Sequence, residues 1–289
     1  MSGLIGLELK KMVRSRTFRL AAALILLLTA LDVFLGLQHQ HRIVEYCALK
    51  FSDPSYGGAN PLARHNNLFF FLPGASVGTY ATYLAKYVLP LLICLAVGGG
   101  LAAEMRRGYW QQVIARVGKK RYYTAKFSAS FLLSGMLGVV PLLLSAVVLA
   151  LFVPASTPEP SEWILHGISM ADGLAHTYFS VPWLSVLLLA AFQFVYAGLW
   201  TCLSLCIAFY VRTAQAATLS VLLPPIGLFT FDYISEAFLF DWEWSPVIFL
   251  NLSPRAAKHH LLLMLLMALG LAAAIGGVVY YRGVKRDVL

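Results

Sequence analysis

Charge is what this sequence has least of. Only 12% of its 289 residues are Asp, Glu, Lys or Arg, and 60% are apolar. A water-soluble domain carries about 25% charged and about 45–50% apolar residues. A soluble globule of this size would lack the polar surface to cover itself, and a disordered chain would lack reason for so many apolar side chains. Cysteine is scarce too. Its four positions, Cys47, Cys94, Cys202 and Cys206, make no disulfide framework; three lie in apolar runs and Cys47 is expected in a polar loop, so all four read as free thiols. Most catalytic signatures are also missing. Gly118-Lys119 is followed by Lys120, and Val113 stands where a phosphate loop needs its first glycine. The chain has no His-Glu-x-x-His or Cys-x-x-Cys, and Gly74-Ala75-Ser76-Val77-Gly78 matches Gly-x-Ser-x-Gly by spacing alone.

What remains is an integral membrane protein. Six windows suit a bilayer crossing, which takes about 20 apolar residues: Thr17–Leu37, Tyr80–Ala103, Phe127–Val153, Trp183–Val211, Thr213–Phe231 and Leu261–Tyr281. The last four carry no Asp, Glu, Lys or Arg. Backbone groups in lipid must bond within helices or closed barrels. Continuous apolar runs, rather than alternation over about ten residues, select helices. The expected fold is all-α, a single polytopic domain over residues 1–289. The stretch after Met1–Arg16 is too apolar and too long for a signal core of about 7–15 residues and has no small-residue cleavage site, so the first span is expected to stay in the mature chain.

The net charge is +9, from 22 basic and 13 acidic residues. In a membrane chain this excess reports orientation rather than nucleic-acid binding. With an inside N-terminus, sixteen of the 22 basic residues fall inside and six outside. Both termini are therefore expected in the cytoplasm, and the chain in a cell membrane.

Two segments between the spans carry pattern. In residues 1–16, Ile5, Leu9, Met12 and Val13 share one helical face, with Lys10, Lys11 and Arg14 on the polar side. This predicts an amphipathic helix along the inner surface, its cations near anionic lipid headgroups, or a plain juxtamembrane anchor. In residues 104–126, Met105, Tyr109, Val113 and Val117 form an apolar stripe, and Gly118 reads as a helix stop. Seven basic residues lie in or beside it. The Tyr109–Trp110 pair suggests a docking surface in addition to a charged inner loop. The outer segments differ. Gln38–Thr79 is polar with Gly and Pro turns but contains Phe69-Phe70-Phe71-Leu72, and Asp232–His260 carries five Phe and Trp residues among acids. Such aromatics are expected to dip into the outer leaflet or pack over the bundle. Pro224 and Pro225 fall inside the fifth span and must bend or break it.

Few residues suggest a site. His39 with His41, and His259 with His260, are expected to be solvated rather than metal ligands. Cys202 and Cys206 share a helical face at lipid depth and read as packing residues. Asp32 is the only acid expected inside a span, and an acid there is a functional candidate by default. Lys86, in the outer half of its own span, offers it a partner.

The ordered set of features resembles the transmembrane subunit of ABC exporters of the second (ABC-2) permease type. The resemblance rests on the basic helix before the first span, six spans with both ends inside, the run Glu104, Gly108, Arg116–Arg121, Lys126 after the second span, and an aromatic hairpin over 232–260 with Pro246 and Pro254. Tyr109 stands where family members often have Thr, and the basic segment lacks their Pro. The resemblance implies a separate cytoplasmic ABC ATPase dimer that binds the ATP and Mg, so no cofactor and no catalysis in this chain. It implies a second permease chain, the same or homologous. The substrate would be a hydrophobic or amphipathic peptide, lipid or drug moved out of the cytoplasm. The coupling residues it implies are Glu104, Arg107, Tyr109, Trp110 and Arg116, supported by Lys10, Lys11 and Arg14. Two other readings stand beside it: a stand-alone carrier or channel, and an intramembrane enzyme. A carrier usually shows an inverted repeat and charged midplane groups. An enzyme needs paired polar residues at one depth, and the last four spans offer no charge.

Overall fold

The computed structural model describes residues 2–51, 67–72, 88–160, 174–211, 213–220 and 260–285. Among these residues the regular structure is helical throughout. In chain order the helices are α1 (Ser2–Arg14), α2 (Arg16–Phe51), α3 (Leu68–Phe71), α4 (Val88–Arg106) and α5 (Tyr109–Val117). They continue with α6 (Lys119–Leu149), α7 (Ala175–Ser180), α8 (Pro182–Ile207), α9 (Ala214–Leu219) and α10 (His260–Val278). Cys94–Gly98 in α4 and Val279–Lys285 beyond α10 are wound as π-helix. Five helices are long and apolar enough to cross a membrane: those containing Arg16–Gln38, Val88–Arg106, Lys119–Leu149, Pro182–Ile207 and Leu262–Lys285.

The centre of the bundle is the antiparallel pair α6 and α8, and it is built on small residues. A Cβ on Gly135 would lie 2.9 Å from the carbonyl oxygen of Phe194, and one on Gly198 would lie 2.5 Å from the Phe131 ring. A Cβ on Gly138 would lie 2.7 Å from that of Ala197. Removing those side chains lets the two backbones approach, which is how helices associate where water no longer drives apolar burial. Phe131 and Phe194 fill the space beside the glycines as an edge-to-face pair, 5.6 Å between centroids. The Cys202 thiol donates to the Phe127 carbonyl across the same seam.

Helix α4 packs on α6 and α8, α2 packs on α4 and α6, and α10 packs on α8. Half of the apolar window in α4 is buried inside the chain, against 11% in α10. Two polar tethers hold α10 to α8: the Tyr196 hydroxyl donates to the Met264 carbonyl at 2.7 Å, and the Cys206 thiol to that of Ile275. The exposed leucines of α2 and α10 are covered by neither bundle nor charge. Several Ser and Thr inside the spans donate to carbonyls one turn back, as Thr29 does to Ile25 and Thr201 to Ala197.

Several expected bounds are corrected. The first span expected at Thr17–Leu37 coincides with the apolar stretch Arg16–Gln38, but the helix that carries it runs on to Phe51, so His39, His41 and Cys47 lie on α2 and not in a loop. At about 1.5 Å per residue its 36 residues reach about 54 Å, well past the ~30 Å hydrocarbon core. The third span begins at Lys119, not Phe127, and ends at Leu149. The fourth lies within a few residues of its expected place. Of the fifth span only 213–220 is described, opened by Thr213 capping Ala216. Pro224, Pro225, Lys86 and the hairpin of 232–260 up to residue 259 lie outside the described residues. The Phe69 segment packs over the bundle: Leu68, Phe69 and Leu72 are buried against α6, α7 and α8, and Phe69 meets Tyr178 and Trp183 edge-on.

Candidate functional site

The polar centre of the described chain lies where α1, α4, α5 and α6 converge. Because α6 starts at Lys119, Tyr122 and Lys126 ride on a helix rather than in a loop. One turn apart on α6, they share a face, and both are almost fully buried. Opposite them, α4 presents Glu104 near its end, and α1 presents Glu8 and Lys11, three residues apart on one side. The Lys126 ammonium bonds the Glu104 carboxylate at 2.6 Å and that of Glu8 at 2.8 Å. Glu104 also accepts from the Tyr122 hydroxyl at 2.5 Å and pairs with Lys11. Two acids thus face two bases.

This balance decides whether the cluster is tolerable. A buried charge with no partner costs several kcal/mol, and removing one member of a buried pair costs roughly 3–5 kcal/mol, whereas replacing both is often neutral. Here every oxygen of Glu104 is used, and Lys126, 1% exposed, has two carboxylates for its three donors. Among its members only Lys11 reaches solvent, and its ammonium lies 4.4 Å over the ring of Tyr109 on α5.

Helix α5 is set off by two glycine corners. Gly108 has φ 70° and ψ −1°, the left-handed region, and Gly118 has φ 84° and ψ 148°. The second combination belongs almost to glycine alone. The stop expected at Gly118 is therefore a corner, with α6 starting at the next residue. The expected stripe changes too. Met105, Trp110, Val113 and Ile114 pack against the core around Tyr123, Phe127 and Leu205, while Tyr109 turns outward at 45% exposure.

The residues singled out from the sequence divide accordingly. Arg107, Tyr109 and Arg116 are exposed on or beside α5, as are Lys10 and Arg14 on α1. Trp110 is half-buried and faces the core. Glu104 is inside, so any part it plays is played through Lys126, Lys11 and Tyr122. Asp32 is half-buried on α2. Glu8 was not singled out, although its signal was present: it is the only acid in residues 1–16. Among the described residues no three His, Cys, Asp or Glu side chains are placed to hold a metal. Cys94, Cys202 and Cys206 are buried free thiols.

Fold and site together define a helical chain with five membrane-length apolar helices and a charge-balanced polar corner at the end where its basic residues gather. The chain matches no family model, no curated protein and no solved structure.

Proposed function

We propose that this chain is the membrane-spanning permease subunit of an ATP-driven exporter of the ABC-2 permease type. The observation that supports it is α5: a short helix joining two apolar helices, anchored inward by Trp110, Val113 and Ile114, and presenting Tyr109, Arg107 and Arg116 outward. A helix so attached would pass force from a soluble partner to both helices it joins. In this reading six helices cross the bacterial plasma membrane, the sixth supplied by the 213–231 region, with both termini and α5 in the cytoplasm. A separate ATPase dimer binds ATP and Mg and docks on α5 and α1. Two permease chains, alike or homologous, move a hydrophobic or amphipathic peptide, lipid or drug outward between them.

The test is purification of the chain from its own cells in mild detergent. A soluble protein bearing a phosphate loop should accompany it in stoichiometric amount. Arg107→Glu or Arg116→Glu should abolish transport-coupled ATP hydrolysis while leaving the melting temperature of the chain unchanged. Recovery of the chain alone, after both mild and cross-linked preparations, or full transport in both variants, would refute the reading.

A further inference from the structure

The charge cluster is shared unevenly among its helices. Helix α1 contributes one acid and one base, Glu8 and Lys11. The rest of the bundle contributes one of each, Glu104 and Lys126, already paired with each other at 2.6 Å. Taking α1 away therefore removes no net charge. Glu104 would keep Lys126 and Tyr122, and Lys126 would keep Glu104. The two charges on α1 would pass to water.

Beyond the charges, α1 lies along α6, and the buried Ser130 hydroxyl of α6 donates to the Met12 sulfur at 3.9 Å. Of its apolar residues only Met12 is fully buried; Ile5 and Leu9 are partly covered, and Leu7 and Val13 are exposed. Its connection to α2 is the single residue Ser15, a bend whose hydroxyl accepts from the Phe18 amide and caps α2 without help from α1. A second home exists for the helix. Ile5, Leu9 and Met12 on one side and Lys10 and Arg14 on the other fit the interface of an anionic bilayer.

We propose that α1 is a releasable clasp, which docks on and leaves the α4–α6 corner as a unit, hinged at Ser15, and lies in the lipid interface when released. Lys11 ties the docked state to α5, since its ammonium rests on Tyr109. This inference concerns the chain alone and stands whether or not an ATPase partner exists.

The test uses the full chain in nanodiscs of phosphatidylcholine and phosphatidylglycerol, with Cys47→Ser and spin labels at Leu7→Cys and Lys120→Cys. Both label positions are exposed. Pulsed electron resonance reads the α1–α6 distance. The unaltered cluster should give mainly the short, docked distance. Glu8→Lys sets two ammonium groups together but leaves the Glu104–Lys126 pair intact. It should raise the ratio of released to docked chains about ten-fold or more, while size exclusion and melting stay those of the parent. Glu8→Gln with Lys126→Met leaves Glu104 matched by Lys11 and should restore the docked distance. The clasp is refuted if Glu8→Lys leaves the distance unmoved, or moves it only as the chain itself unfolds. It is equally refuted if the double variant stays released. In each case α1 would be a fixed brace or never docked.

Discussion

Adding one methyl group to the α6–α8 seam should cost stability, and adding it to α10 should not. At Gly135 the new carbon would lie 2.8 Å from two ring atoms of Phe194 and 2.9 Å from its carbonyl oxygen. The ring can turn, at the loss of its edge-to-face contact with Phe131, but the carbonyl belongs to the backbone of α8. Relief requires the helices to part by several tenths of an ångström along a seam that also holds Gly138 and Gly198. Overpacking of this kind costs roughly 1–3 kcal/mol. Alanine returns about 1 kcal/mol as the better helix former, so Gly135→Ala should lose up to about 2 kcal/mol net. At Gly277 the same carbon meets nothing within 4 Å, and only the gain of up to about 1 kcal/mol remains. The assay is thermal unfolding in one detergent, followed by the folded peak on size exclusion. At about 2–4 °C per kcal/mol, Gly135→Ala should melt lower than the parent, and Gly277→Ala at or above it. Equal midpoints for the two variants would refute the seam.

Two further outcomes follow from the geometry. Gly118→Ala should destabilise more than Gly108→Ala, by about 1 kcal/mol, because φ 84° with ψ 148° is closed to alanine while the left-handed region at Gly108 is only costly; Gly108→Asn should recover part of its loss, as read by the same melting assay. Cys94, Cys202 and Cys206 should resist maleimide in the folded chain and react once it is denatured, scored peptide by peptide by mass spectrometry; rapid reaction of any one of them in the native state would contradict its burial.

How much of this was legible in the sequence depends on what each signal measures. Hydropathy located α8 and the apolar body of α6 well because both lie deep in apolar runs. It placed the first span correctly but left the continuation of α2 to Phe51 as loop, because hydropathy reports contact with lipid and not helicity. Residues from Gln38 to Phe51 are polar enough to leave a bilayer yet contain no Gly or Pro to stop a helix. The start of α6 was missed for the same reason, since Lys119–Lys126 is basic but helical. The α5 stripe was miscounted at one place: spacing was carried from Met105 to Tyr109 through Gly108, whose positive φ resets the helical phase. Trp110, not Tyr109, then faces inward. The polar corner was legible only in parts. Glu104 and Lys126 stood out, but Glu8 pairs with a lysine 118 positions away, and no periodicity reports such a contact. The Asp32–Lys86 pair and the Pro224–Pro225 kink fall partly or wholly outside the described residues.

The π-wound turn at Cys94–Gly98 has a consequence for aim. A π-turn accommodates one residue more than an α-turn of the same helix, and one residue is about 100° of rotation. Everything in α4 beyond Gly98 is therefore swung round relative to Val88–Ile93, as the upper half of a key is turned against its shaft. The first half addresses α2 and the apolar core around Ile25 and Leu137. The second packs beside α5, α8 and α9 and sets Glu104 against Lys126 of α6. Ironing the helix into a plain α-helix by losing one residue near Ala96 would leave its composition and hydropathy almost untouched and point Glu104 about 100° away from Lys126. A single helix thus serves two sets of neighbours, and the residue that makes this possible touches neither charge.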